Sequence, residues 1–177
     1  MRLNSLSMKN FKKYRGFAKV EFQDGLTGIV GMNGSGKSTI VEAIAWALYG
    51  SRASTVRRDF IKNSRASESE DLEVRLSLNV DGQEMAILRA MRGKSLSPEA
   101  KFYIDGDLVA TGTREVDARL EEILKISFSD FMKTFYARQK DLDNLIRDRG
   151  SEKREYLLTL LGLDEIRERA LDEIRSD

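Results

Sequence analysis

Nine consecutive residues constrain this chain more than any others: Gly31-Met32-Asn33-Gly34-Ser35-Gly36-Lys37-Ser38-Thr39. They fit G-x-x-x-x-G-K-[ST], a loop whose backbone N–H groups cradle phosphate oxygens. Gly34 and Gly36 let the backbone curl with its N–H groups inward, making a nest for an anion. The helix that follows adds the positive end of its dipole and its unpaired N–H groups. In that geometry Lys37 reaches the β- and γ-phosphates, and the Ser38 hydroxyl sits on Mg²⁺. The motif demands a strand before it and a helix after it. Leu26-Thr27-Gly28-Ile29-Val30, a short apolar run rich in β-branched residues, reads as the strand. Ile40, Val41, Ile44 and Leu48 recur at helical spacing through Tyr49, and Gly50 follows as a natural stop. The alternative is a glycine-rich turn in an unrelated fold, which would need neither flank. The chain is expected to bind a nucleoside triphosphate.

What the rest of the composition adds is mostly exclusion. The 177 residues suit one ordinary domain, and 41% hydrophobic content is enough for a core. No run approaches the roughly 18 apolar residues of a membrane span, so a soluble protein with no membrane partner is expected. Met1-Arg2-Leu3-Asn4-Ser5 leads straight into strand-like sequence and does not resemble a signal peptide. With no cysteine there is neither a disulfide framework nor a thiolate metal site, and an intracellular location is the default. A net charge of +1 means that any nucleic-acid surface must be local. The chain has no histidine, so a step requiring imidazole must be supplied by another segment.

Residues 1–30 read as strands: Leu3, Leu6, Met8 and Phe11 first, then Phe17, Val20 and Phe22 up to the Asp24-Gly25 turn. Between them lies a basic stretch with two aromatics, Lys9-Asn10-Phe11-Lys12-Lys13-Tyr14-Arg15, which is either a solvated loop or a phosphate- or base-contacting segment. Ser51 to Glu70 reads as loop, with one helical turn expected at Arg58-Asp59-Phe60-Ile61. Leu72, Val74, Leu76, Leu78 and Val80 then occupy alternate positions, the mark of a half-buried strand. Asp81-Gly82 predicts a hairpin returning through Met85-Ala86-Ile87-Leu88. A second hairpin is expected at Phe102-Tyr103-Ile104 and Leu108-Val109 around Asp105-Gly106-Asp107, with Pro98 in the loop between the two. An antiparallel lobe, about 71–110, is thus inserted after the phosphate-loop helix. Asn79-Val80-Asp81 and Tyr103-Ile104-Asp105 resemble Walker B strands, but their aspartates open D-G turns, so the hairpin reading is preferred.

The last third reads as helical. Thr113 is the expected cap of a helix with Val116, Leu120, Ile123 and Leu124 on one stripe. Ser127-Phe128-Ser129-Asp130 opens another, followed by the strand-like Phe135-Tyr136-Ala137-Arg138-Gln139-Lys140-Asp141-Leu142. Ser151 to Leu161 carries Tyr156, Leu157, Leu160 and Leu161. After Gly162, a final helix places Ile166, Ala170 and Ile174 on one face.

Taken together, Lys9-Asn10-Phe11, the glycine-rich loop and Tyr136-Ala137-Arg138-Gln139 resemble the SMC-related ABC ATPases, most closely the double-strand-break repair ATPases of the Rad-fifty/SbcC type. The resemblance covers essentially all 177 residues. It implies an α/β fold: a P-loop (ABC-type) half-domain over 1–150, with the loop at 31–39, the β-lobe and a Q-loop near 139. Residues 151–177 would begin a coiled-coil arm, entered through Leu157-Leu158-Thr159-Leu160-Leu161-Gly162-Leu163. Gln139 lies 102 residues beyond Lys37 (139 minus 37), an interval long enough for the inserted lobe. Lys140 stands where the family usually has glycine.

The resemblance also implies a division of labour. Walker B, its glutamate, the signature motif and the switch histidine belong to the C-terminal half of such proteins, so this chain would hold ATP and Mg²⁺ without turning ATP over efficiently. Lys37 would bind the β/γ-phosphates; Asn33, Gly34, Ser35, Gly36 and Thr39 would hold further oxygens. Ser38 and Gln139 would serve the metal, and Gln139 would also orient water. Lys12 and Lys13 would lie near the phosphates, and Ile61, Lys62 and Asn63 near the nucleotide. Implied partners are the C-terminal ATPase half, a second head in an ATP-dependent homodimer, double-stranded DNA, and an Mre-type nuclease (SbcD in bacteria). The expected setting is cytoplasm or nucleoid in a prokaryote, or the nucleus in a eukaryote. Two other readings are an SMC-type chromosome organiser, which shares the loop and the coiled coil, and a self-contained P-loop kinase, which would need its own Mg²⁺ aspartate.

Overall fold

The alternation of apolar and polar residues between positions 72 and 104 builds the centre of the molecule. In the computed structural model, which describes residues 1–54, 60–125, 128 and 131, Leu72–Val80 forms β3 and Gln83–Arg92 forms β4. Ser97–Ile104 forms β5 and Asp107–Thr111 forms β6. The β3–β4 and β5–β6 turns are two-residue Asp-Gly loops with both residues at positive φ, 51° and 91° at Asp81-Gly82, 50° and 91° at Asp105-Gly106. That is the mirror-image turn whose twist matches paired strands. Both aspartates therefore sit in hairpin turns, as expected, and not at the ends of buried parallel strands.

Two further strands, Arg2–Phe11 (β1) and Tyr14–Glu21 (β2), complete an antiparallel sheet in the order β2-β1-β3-β4-β5-β6. The join is non-local: β1 pairs with β3, setting Leu6 opposite Leu76 and Met8 opposite Val74. The inner face carries Leu6, Met8, Leu72, Val74, Leu76, Leu78, Ile87 and Phe102, all essentially without solvent contact. Burying each contributes about 1.5–3 kcal/mol. The helix Lys37–Tyr49 (α1) packs against β1, β3 and β4, with Trp46 tilted against Phe11 at 5.6 Å between ring centroids. A 3-10 turn, Gly50–Ala53, follows. Thr113–Leu124 (α2) lies against β5 and β6 through Val116 and Leu120. Met1–Lys125 is one compact unit. Among the described residues, no helix is long and apolar enough to cross a membrane.

Three local expectations change. Leu26–Val30 is irregular, not a strand, and Leu26, Val30 and Met32 are exposed. A strand forms only where a neighbour satisfies its N–H and C=O groups, and no described strand pairs with 26–30. Pro98 lies inside β5, opposite Met91, where its second position in the strand tolerates the missing N–H. Thr113 is the first residue of α2, and Gly112 is its cap. Gln139, the helices from 151 onward, and Arg58-Asp59 of the expected loop turn lie outside the described residues.

The sheet also gathers charge around Arg92. Its guanidinium meets Glu99 at 2.7 Å, Glu73 at 3.0 Å and Asp71 at 3.2 Å. The Gly93 N–H, 2.9 Å from Asp71, and Arg92 hold the Asp71 carboxyl below its ordinary value; Arg92 and then Lys101 do the same for Glu99. A carboxyl with a depressed folded-state pKa stabilises the fold above its unfolded value, about 4, and loses that contribution as pH falls through the folded value. Urea midpoints should therefore drop as pH is lowered below about 4, and an Arg92→Met variant should show a shallower fall.

Candidate nucleotide site

The first turn of α1 is built to receive an anion. Gly36 caps the helix at φ 104°, ψ 11°, a left-handed conformation that only glycine adopts without strain. No side chain caps this end, and its first turn carries no acidic residue. Thr39 and Ile40 donate their N–H groups to the Gly36 carbonyl, at 3.0 and 3.3 Å, and lock the turn. The preceding loop is solvent-facing from Gly31 to Ser35, with Gly34 at φ 79° and one internal bond from the Ser35 N–H to the Met32 carbonyl at 3.1 Å. Lys37 donates from Nζ to the Gly31 and Met32 carbonyls at 2.7 and 2.9 Å. Its ammonium thus arches back over the loop and is held by two neutral carbonyl acceptors.

Ser38 is exposed beside this loop and Thr39 is buried. Among the described residues, no group of three or more His, Asp or Glu side chains is placed to hold a metal ion. Mg²⁺ characteristically keeps waters and takes one or two protein oxygens plus substrate phosphates, not a full protein cage. The Ser38 hydroxyl next to a phosphate cradle fits that pattern.

A second group of expected residues converges from the β1–β2 turn. Lys12 sits at φ 45°, its N–H donating to the Ile61 carbonyl at 2.8 Å and its carbonyl accepting from Asn63 Nδ2 at 2.6 Å. Its ammonium is 2.9 Å from Glu42 Oε2 on α1, one helical turn beyond Ser38. Lys13 is exposed on the same turn. Ile61 is buried; Lys62 bridges to Phe11 and donates from Nζ to the Glu68 carbonyl at 3.0 Å. The Ile61–Asn63 segment therefore serves as the scaffold of Lys12.

Sequence reasoning missed Glu42 and Arg89 here, and had Asn10 and Tyr14 only as members of the basic stretch Lys9–Arg15. Asn10, fully buried at φ 54°, donates from Nδ2 to the Asp71 carbonyl at 3.0 Å and accepts the Gly16 N–H at 2.8 Å, tying the turn to two strands. Tyr14 touches the start of α1, and Glu42, on α1, takes the Lys12 ammonium. Arg89 of β4, only 3% exposed, holds the other end of that helix. It donates from Nε to the Ala47 carbonyl at 2.7 Å, and from one terminal nitrogen to the Leu48 carbonyl at 3.0 Å and Asp117 Oδ1 at 2.5 Å. Burial pulls this guanidinium below its ordinary pKa, and Asp117 opposes the shift. The only local signal was a charged residue in an otherwise inward-facing register, since Arg89 stands opposite Val74.

Comparison with known proteins places this geometry. A family described as AAA domain matches residues 5–176. The DNA double-strand break repair Rad50 ATPase of Methanocaldococcus jannaschii is 32% identical over 165 residues, covering 93% of this chain and 16% of that protein. The protein of the same description from Methanococcus maripaludis is 30% identical over 164 residues, again 93% and 16%. The chain thus spans about a sixth of these relatives' length. The SMC head domain from Thermotoga maritima has a TM-score of 0.57 at 24% identity, covering 84% of this chain and 52% of that one. The recombination mediator RecF bound to ATP reaches 0.52 at 20% identity, covering 89% and 36%. At those identities the two likenesses are of fold.

Proposed function

From a chain that belongs to the AAA domain family, we propose the ATP-binding N-terminal part of a DNA double-strand-break repair ATPase. One observation carries the ATP site. The uncapped start of α1, the left-handed Gly36 and a lysine resting on loop carbonyls are the parts a triphosphate needs, in the order it needs them. The repair role rests on the similarity to the Rad50 ATPases over nearly the whole chain.

Phosphoryl transfer is chiefly positioning and charge neutralisation. Lys37 exchanges its two carbonyls for β- and γ-phosphate oxygens, while the amides of Asn33 to Lys37 and the Thr39 backbone hold the remainder. The Ser38 hydroxyl would hold Mg²⁺, which would supply neutralisation of the phosphate charge. Lys12, and Lys13 beside it, extend the cationic side of the cradle. Gln139 orients the attacking water. The missing parts, a Walker B carboxylate and a signature motif, come from a complementary C-terminal half. That half also provides the sheet neighbour that Leu26–Val30 lacks among the described residues. Two such heads close over ATP, bind double-stranded DNA by salt-sensitive contacts to phosphates, and control an Mre-type nuclease inside the cell.

The test is calorimetric titration of the chain with MgATP, alongside a steady-state hydrolysis assay. The expected result is binding without sustained turnover, with hydrolysis appearing when the C-terminal half is added. Turnover by the chain alone at about one per second or more, the ordinary enzyme range, would overturn it in favour of a self-contained NTPase.

A further inference from the structure

In the loop that precedes α1, every residue from Gly31 to Ser35 faces solvent, yet Gly36 is buried. The three atoms nearest to a Cβ placed on Gly36 all belong to one side chain. The Tyr14 ring lies against it so closely that a Cβ added there would meet Cε2 at 3.2 Å and Cζ at 3.4 Å. The Tyr14 hydroxyl is 3.4 Å from the Gly36 carbonyl oxygen. That carbonyl is also the acceptor for Thr39 and Ile40, so the ring rests on the residue that fixes where the helix begins. Tyr14 itself is set firmly. It opens β2, paired with Phe11 across the turn, and the adjacent Gly16 N–H is held by the buried Asn10 amide. The solvent-facing half of the loop has no such brace; its internal bonds come from Ser35 and Lys37.

We propose that Tyr14 is a positioning residue for triphosphate binding: its ring pins Gly36 to the sheet edge and so sets the N–H donors of the first turn of α1. The inference rests on the ATP-site reading above and adds a residue outside the motif to it. Tyr14 acts on the phosphates through the loop backbone and makes no contact with the base. The Lys12–Glu42 pair holds the same face of α1 one turn further along, so the β1–β2 turn grips the helix start at two levels.

The base-independence of this role makes it testable. The chain and its Tyr14→Ala and Tyr14→Phe variants would be titrated by calorimetry with MgATP and, separately, with magnesium tripolyphosphate, which has no base. All titrations are run well below each variant's thermal midpoint, so that every chain is folded. Tyr14→Ala is expected to weaken both ligands by a similar factor, about 5- to 30-fold, on the scale of mis-set hydrogen-bond donors. Tyr14→Phe, which keeps the ring, should stay within about twofold for both. Loss of MgATP affinity with tripolyphosphate unchanged would overturn the proposal and make Tyr14 a base contact. A lower thermal midpoint with both affinities intact would overturn it in favour of a purely structural role. Failure of the unsubstituted chain to bind either ligand would instead sink the ATP-site reading itself.

Discussion

Replacing Lys37 with alanine is expected to weaken MgATP binding by roughly 10- to 150-fold, the equivalent of a lost charge-assisted hydrogen bond of about 1.5–3 kcal/mol. The fold should survive. The Lys37 ammonium bonds two carbonyls of a solvent-facing loop, and surface changes of this kind usually move stability by about 0.5 kcal/mol or less. Affinity and stability should therefore separate: calorimetry with MgATP shows the loss, and urea midpoints for wild type and variant nearly coincide. Because the resting lysine must leave two acceptors before it meets phosphate, the measured loss is a net value. An unchanged affinity would mean that the triphosphate does not engage this loop.

Arg89→Ala should do the reverse. The substitution removes a guanidinium that satisfies the Ala47 and Leu48 carbonyls and pairs with Asp117, leaving two buried carbonyls and a half-buried carboxylate without that partner. Breaking a buried pair by deleting one member costs about 3–5 kcal/mol, a large share of the 5–15 kcal/mol typical of a domain. Arg89→Lys should recover only part of it, because an ammonium cannot present the planar fork that reaches two carbonyls and a carboxylate together. Arg89→Met combined with Asp117→Leu should be milder than Arg89→Ala, since no unpaired charge remains. Equilibrium unfolding in urea measures all three. If Arg89→Ala costs under about 1 kcal/mol, the scale of a surface pair, the cluster is not the anchor described here.

How much of this was written locally in the chain can be judged element by element. The Asp81-Gly82 and Asp105-Gly106 hairpins were legible because a turn and its two flanking strands are neighbours in sequence. The phosphate loop and α1 were legible for the same reason: cap, dipole and periodicity all lie within 31–50. The union of β1 with β3 was not, because pairing Arg2–Lys9 with Glu73–Asn79 depends on contacts between 64 residues (73 minus 9) and 77 residues (79 minus 2) apart. Leu26–Val30 carried a true apolar signal, but pattern alone does not supply a strand with a neighbour. At the site, Ile61–Asn63 came only through a family resemblance, and Lys12 through that resemblance and the basic stretch Lys9–Arg15. Asn10 and Tyr14 were visible only as members of the basic Lys9–Arg15 stretch, and Glu42 not at all, because each works through a partner from a distant part of the chain. Arg89 escaped because a single charge in an inward register reads as noise until its carbonyl acceptors appear.

Trp46, described above only as packing against Phe11, has a practical consequence. It is the sole tryptophan in the sequence, and it is buried on α1, with its indole N–H making no hydrogen bond among the described residues. The chain's indole emission therefore comes from a single place, the last turn of the helix whose first turn is the proposed phosphate site. That emission reports on this helix alone, without a label and without contributions to be separated from elsewhere in the molecule.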